Sequence, residues 1–314
     1  MRCFWLLLIL TVVLNGCGFT NGKTVASKSQ KYQVVDDCGY TLSFTEKPQR
    51  IYAATSSLEE VIIDLVPANR IVAISALATD ERLSLIADKA MKIEPKIQGK
   101  IGVEGILSLN PDLVLLQDNM DVSLANSLRD AGLRVLVTKV PVTVEMIKAR
   151  IQKLSVAVGE ENNGKEILSA LNKKLDYVSS KVGSIPDSEK KIIMAYSQQG
   201  VFGSSKGLFN DICNKSFVKN GAAMAGLVRG EHLSKEKIIE YDPDVFIFPS
   251  YDTGKYGDLD VFMQEVLNDP ALKNVKAIKN NDILIVKDKY RSTTSHYVGD
   301  AVMDIAKKVY PQYF

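Results

Sequence analysis

Histidine is almost missing from this chain: two in 314 residues, His232 and His296, both in the second half. Acid-base catalysis and transition-metal cages draw heavily on imidazole, so this scarcity weighs against both. Neither the G-x-x-x-x-G-K-[ST] phosphate loop nor the H-E-x-x-H zinc helix occurs. Charge of one sign is lacking as well, with 39 Lys and Arg against 37 Asp and Glu, and there is no long basic run to track a phosphate backbone. No nucleic acid partner is expected. Cysteine is sparse at four, far from the density of a disulfide-stapled secreted domain. Tryptophan occurs once, at Trp5, inside an apolar run at the N-terminus.

That run carries a targeting signal. Arg2 supplies a positive start, and FWLLLILTVVL (4–14) has the length of a signal-peptide core, too short to span a bilayer comfortably. LNGC (14–17) follows and resembles a bacterial lipobox, which makes residues 1–16 a lipoprotein signal peptide and Cys17 the lipidated first residue of the mature chain. The small, polar stretch TNGKTVASKSQK (20–31) reads as a flexible tether, and 17–32 is assigned to it. The expectation is a protein of the cell envelope, extracytoplasmic and lipid-anchored to the membrane. In that compartment Cys38 and Cys213 either pair or stay free, and the sparse pattern favours free thiols.

At 46% apolar and 24% charged, the chain is long enough for two domains of ordinary size. Residues 32–53 alternate apolar and polar about Cys38-Gly39, which predicts a β-hairpin leading into a buried strand. Strands over 50–55, 70–75, 112–117 and 134–139 then alternate with helices over 57–66, 79–88, 103–109 and 121–132. Such an order predicts a parallel sheet covered on both faces. Helices at 144–159 and 162–185 follow with no strand between them, the second carrying Ile167, Leu168, Leu171, Leu175, Val178 and Val182 on one face. Past Pro186, strands at 191–197, 244–250 and 282–288 alternate with helices at 208–216, 234–241, 260–269 and 296–310. The predicted fold is α/β: two Rossmann-like lobes of mostly parallel sheet, 33–160 and 185–314, joined by one long helix, 161–184, with a ligand cleft between the lobes.

An internal repeat supports the two-lobe plan. VEGILSLNPDLVLLQD (103–118) and KEKIIEYDPDVFIFPS (235–250), 132 residues apart, share Glu104/Glu236, Ile106/Ile238, Pro111/Pro243 and Asp112/Asp244. Pro and Asp break a helix and start a strand, so the repeat is one αβ unit used once per lobe.

Candidate contact residues gather at predicted strand ends. Tyr196, Tyr251 and Tyr290 each follow the C-terminal end of a strand, where open α/β sheets bind ligands, and Tyr256 and Arg291 lie close by. A tyrosine offers a stacking face and a hydroxyl, and arginine a forked donor for carboxylate or phosphate. For any single tyrosine partly buried packing explains the residue equally well; the grouping is what points to a site. GVFGSSKG (200–207) reads as a βα loop, not an anion cradle, because its spacing fits no phosphate fingerprint. His232 and Glu236 read as incidental spacing, since a metal cage needs three or four ligands. Glu59, Glu60 and Glu236 open helices, where the helix dipole stabilises a carboxylate without any partner. No catalytic residue, resident metal or cofactor is expected.

In order and spacing, DDCGYTLSFTEKPQRIYAATSSLEEVIIDLVPANRIVAIS, GVEGILSLNPDLVLL and SKEKIIEYDPDVFIF resemble the substrate-binding lipoproteins of ABC importers, in the iron-siderophore, haem and cobalamin class; the likeness covers about residues 33–314. The resemblance implies a monomer that captures a metal chelate (siderophore, corrinoid or haem) without chemistry and delivers it to a permease driven by an ATPase. It also implies one exposed glutamate per lobe that docks onto permease arginines. The matching positions are Glu60 and Glu236, with Glu59 the rival for the first; Glu104, the repeat twin of Glu236, has no docking role in that pattern. The cleft tryptophans of the best-known cobalamin receptors are missing and no one Tyr/His pair stands out as a haem clamp, which puts an iron-siderophore ahead of cobalamin and haem. The alternatives of a different kind are a hydrolase on a two-lobed α/β scaffold and an adhesion or sensor module on the same fold, unconnected with transport.

Overall fold

The computed structural model describes residues 31–228, 231–251, 257–291 and 293–314. The predicted hairpin is present as β1 (Tyr32–Val35) paired antiparallel with β2 (Thr41–Phe44). Asp36 closes its turn by accepting from the Cys38 and Tyr40 amides, and its second oxygen accepts from Arg129 and the Val137 amide, which pins the hairpin to the sheet.

The first half continues with β3 (Ile51–Ala53), α1 (Ser56–Leu65), β4 (Ile74–Ser75), α2 (Ala87–Ala90) and β5 (Lys96–Ile97). Then come α3 (Val103–Ser108), β6 (Leu113–Gln117), α4 (Val122–Asp130) and β7 (Val135–Thr138). Strands β3, β6 and β7 form a parallel sheet in that order, and β4 and β5 form a separate parallel pair. The strand expected over 70–75 is reduced to β4 and a single bridge, Ile51 to Ile71. The helix expected over 79–88 is replaced by a 3-10 turn at Ala76–Thr79, further turns and α2. Asp80 accepts from the Arg82 amide and Ser84 from the Ile86 amide, and such local bonds compete with a helix ladder.

Two helices follow, α5 (Val144–Val158), N-capped by Thr143, and α6 (Glu161–Val182), about 33 Å long at 1.5 Å per residue. Gly159 turns the chain between them at φ 71°, and a β-carbon there would lie 2.6 Å from Lys47. Of the six apolar residues predicted on one face of α6, Leu171, Val178 and Val182 are buried and Ile167, Leu168 and Leu175 pack half-buried against the same core.

The second half runs β8 (Ile192–Ser197), β9 (Gly200–Phe202), α7 (Leu208–Lys215), β10 (Lys219–Asn220), α8 (Gly221–Met224) and α9 (Lys235–Tyr241). It ends with β11 (Val245–Pro249), α10 (Leu259–Leu267), α11 (Lys276–Lys279), β12 (Ile283–Val286), α12 (Asp288–Arg291) and α13 (Val298–Val309). The parallel order is β10-β8-β11-β12. The run GVFGSSKG is not a loop throughout: its first three residues, β9, fold back antiparallel on β8.

The internal repeat occupies equivalent places, β6 between β3 and β7, and β11 between β8 and β12. Its aspartates do equivalent work. Asp112 accepts from the Gln49 and Arg50 amides at 2.7 and 3.0 Å, and Asp244 from the Ile192 amide at 2.8 Å, so each pins the start of the neighbouring strand. Asn110 and Asp242, each just before the proline, take the left-handed conformation (φ 48° and 40°) that short polar residues tolerate.

Cys38 is exposed and Cys213 buried, both free; burial pushes the Cys213 thiol up. Among the described residues no helix is long and apolar enough to cross a membrane.

Candidate ligand cleft

A cavity of about 870 Å³ opens beyond the end of β8. Phe202 and Phe209, ring centroids 4.8 Å apart, form its apolar wall, and Glu231, His232 and Arg291 bring polar groups to it. Most of GVFGSSKG lines this cavity, so the run passed over as a plain loop is part of the site. Gly203 is required there: its φ is 108°, and a β-carbon would meet the Phe209 ring at 2.8 Å. The same run, Gly203 to Gly207, has the G-x-S-x-G spacing of a hydrolase elbow, yet its Ser205 is exposed and no hydrogen bond among the described residues joins it to a histidine or an acid.

Arg291 is fixed before any ligand arrives. It donates to the Tyr196 carbonyl, pairs with Asp288 at 3.0 Å and lies 4.8 Å from the Phe202 ring centroid, while its Nε is buried without a hydrogen-bond partner among the described residues. Burial lowers its pKa and Asp288 works in the other direction. Asp288 also accepts from the Ser250 and Tyr251 amides.

Of the predicted contact residues, Arg291 lines the cavity. Tyr251 does not line it, and Arg82 of the first half lies 4.7 Å over its ring; the cavity is lined by second-half residues alone, not by both lobes as expected. Tyr196 is a correction: it is 4 % exposed, stacked 5.0 Å on Phe248, and only its carbonyl faces Arg291. Strand parity explains this, for Met194 and Tyr196 point into one core layer while Ile193 and Ala195 point into another. Tyr290 packs half-buried against the core beside α13, where burial, Asp300 and Asp304 raise its pKa. Tyr256 and Cys17 lie outside the described residues.

The docking expectation needs a correction too. Glu60 is 7 % and Glu59 4 % exposed, so neither can meet a permease arginine as placed. Residues Leu58 to Ile63 of α1 are all buried, which covers the helix on every side. Glu59 accepts from the Ser75 amide and hydroxyl, and Glu60 from the Ser295 and Thr293 hydroxyls. Glu236 is exposed in the first turn of α9, and so is its twin Glu104 in the first turn of α3. His232 precedes α9 and faces the cavity, apart from Glu236.

Thr293 to Tyr297 key the second half into the first. Asp64 accepts from Tyr297 at 2.8 Å, meets His296 Nε2 at 3.0 Å and pairs with Lys89. Burial opposes ionisation of Asp64, but these three partners outweigh it and hold the carboxyl at about 2. Burial raises Glu60 and pulls Arg150 down to about 10; Arg150 reaches both Ser57 and the Thr294 carbonyl. Sequence reasoning missed this layer, whose one signal is a run of five polar-tipped side chains before α13. A smaller inter-lobe pocket of about 160 Å³, touching Ser57, Glu60, Lys289 and Thr294, lies beside it. No group of three or more His, Cys, Asp or Glu among the described residues is placed to hold a metal ion.

Comparison with known proteins agrees with this architecture. An uncharacterised ABC transporter substrate-binding lipoprotein of Bacillus subtilis strain 168, YvrC, is 22% identical over 320 residues, covering 98% of this chain and 96% of its own length. The apo haem-binding protein RhuT from Roseiflexus sp. RS-1 superposes with a TM-score of 0.70 at 21% identity, over 85% of this chain and 99% of that one. Nickel-bound CeuE of Helicobacter pylori gives 0.70 at 19% identity, over 90% of each chain. The periplasmic binding protein model matches residues 51–290, and this chain, a binding protein and not an enzyme, belongs to that family.

Proposed function

We propose that the chain is the lipid-anchored receptor of an ABC importer and that it captures an anionic metal chelate, an iron-siderophore before haem or a corrinoid. The observation that carries this is the cavity itself. About 870 Å³ falls within the ordinary range for small-molecule sites, and a pre-positioned Arg291 stands against an aromatic wall there. A bare ion suits it less, since the described residues offer no ligand set for one. The names of the relatives, haem-binding in one case and nickel-bound in another, agree with a metal-containing cargo. Lipidation at Cys17 would keep the receptor beside its permease.

For docking, exposure and the internal repeat now favour the same pair, Glu104 and Glu236. Both stand in the first turn of equivalent helices that precede equivalent strands, which places one carboxylate at the sheet's C-terminal rim in each lobe. Two exposed charges so arranged would fix orientation on a partner. Glu104→Ala and Glu236→Ala are expected to cut uptake in cells while leaving chelate affinity unchanged; loss of affinity in either would overturn the docking role.

The ligand class is tested by absorbance and mass spectrometry of protein purified from its native host. A ferric chelate is expected in the wild type and less of it in Arg291→Gln, by about tenfold for one lost charge-assisted contact. Recovery of a neutral, metal-free ligand would refute the proposal.

A further inference from the structure

We propose that the segment Asp80 to Arg82 is a latch between the two halves of the chain and that Asp288 connects this latch to the cavity arginine, Arg291. The proposal rests on the cavity being the ligand site.

Arg82 is oriented from its own side: Asp80 receives its Nε at 2.9 Å and its Nη2 at 2.6 Å, a two-bond fork that leaves the guanidinium face open. That face covers the ring of Tyr251, in the other half of the chain, at 4.7 Å. One residue earlier, the Glu81 carbonyl accepts from Lys289 across the same gap at 3.0 Å. The segment thus touches its opposite wall at two places.

The carboxylate of Asp288 ties the opposite wall to the cavity. One oxygen of Asp288 accepts from the Ser250 and Tyr251 amides at 2.8 and 2.9 Å, and the other pairs with Arg291 at 3.0 Å. Asp288, Lys289 and Arg291 all belong to the single turn of α12. An anion that engages Arg291 competes with the Asp288 oxygen for its N–H groups, and any shift of α12 moves Lys289 and the Tyr251 backbone together. The contacts between the two halves differ in what holds them. Those at Thr293 to Tyr297 run through Glu60 and Arg150, which are buried, and the half-buried Asp64, whereas Arg82 and Lys289 make exposed contacts that open cheaply.

Hydrogen exchange on the ligand-free protein tests the latch itself. Arg82→Ala with Lys289→Ala is expected to speed exchange at Ser250 and Tyr251 and at residues 80–84 together, with no change at Thr293 to Tyr297. Unchanged exchange at Ser250 and Tyr251 would overturn the latch. Binding kinetics with a ferric tris-catecholate probe test the connection. Arg82→Ala should raise the dissociation rate about two- to fivefold, the size of an exposed cation-π contact, with association no slower. In an Asp288→Asn background that effect should vanish, and simple additivity would overturn the link through Asp288. A wild type that binds neither this probe nor haem refutes the ligand reading instead, and the exchange experiment still decides the latch.

Discussion

Two carboxylates one turn apart on α1, Glu60 buried and Asp64 half-buried, show how partners decide the fate of a charge that burial disfavours. Burial opposes ionisation of both Glu60 and Asp64. Glu60 has two hydroxyl donors and stays raised, whereas Asp64 has Lys89, His296 and Tyr297 and falls to about 2. Their linkage to stability has opposite signs. Asp64 has a folded pKa below the unfolded value, so it stabilises the fold above about pH 4, by roughly 2 kcal/mol, and this is lost as pH falls toward about 2. Melting temperature against pH should therefore drop less steeply over that interval in Asp64→Asn, which should also be less stable than wild type at neutral pH; an unchanged acid limb would contradict the pairing. Glu60 is raised, so the fold prefers it protonated, and its contribution is present at low pH and lost as pH rises through its folded pKa. Glu60→Gln keeps an acceptor for Ser295 and removes the buried charge. It should melt no lower than wild type at neutral pH, and a lower melting point there would show that the charge itself is needed.

Among the elements, α6 has the tightest crossings, and glycine permits them. A β-carbon on Gly164 would stand 2.5 Å from Ser155 Cβ in α5, and one on Gly299, in α13, would stand 2.9 Å from Leu171 Cδ1. The first neighbour is short and buried, the second the movable end of a leucine. Gly164→Ala should thus cost about 1–3 kcal/mol in chemical denaturation, with Gly299→Ala costing less; the reverse order would contradict the packing. Such elements were legible because period and length agree: the six-residue face of α6 and the repeated αβ unit could be read directly. The stretch 79–88 looked helical by composition, but Asp80 and Ser84 spend their side chains on local backbone amides. The site was legible in part. Arg291 followed from its place after a strand, whereas Tyr196 required the parity of β8, and Glu60 required knowing that α1 is covered on all sides. Neither is encoded by neighbours in sequence.

At the scale of the whole molecule, two sheets would suggest two unfolding units, and the packing argues against it. One hydrophobic core includes Ile51 and Leu115 from the first sheet and Ile193 and Ile247 from the second, with Leu171 and Val178 of α6 and Val302 of α13 between them. The polar layer from Glu60 and Asp64 to Ser295 and Tyr297, buried at Glu60, Arg150, Thr293 and Ser295, crosses the same boundary, and parting it would leave Arg150 and Glu60 desolvated without their partners. Unfolding one half therefore strips apolar and polar cover from the other, so the halves should melt together despite a length at which separate steps are common. Calorimetry of the ligand-free protein should give one transition whose calorimetric and van't Hoff enthalpies agree. Two resolved peaks would mean that the shared core contributes little. Since a ligand bound only to the folded state raises stability with its concentration, saturating chelate should move that single transition upward as a whole, by about 2.7 kcal/mol at a hundredfold excess over Kd, without splitting it.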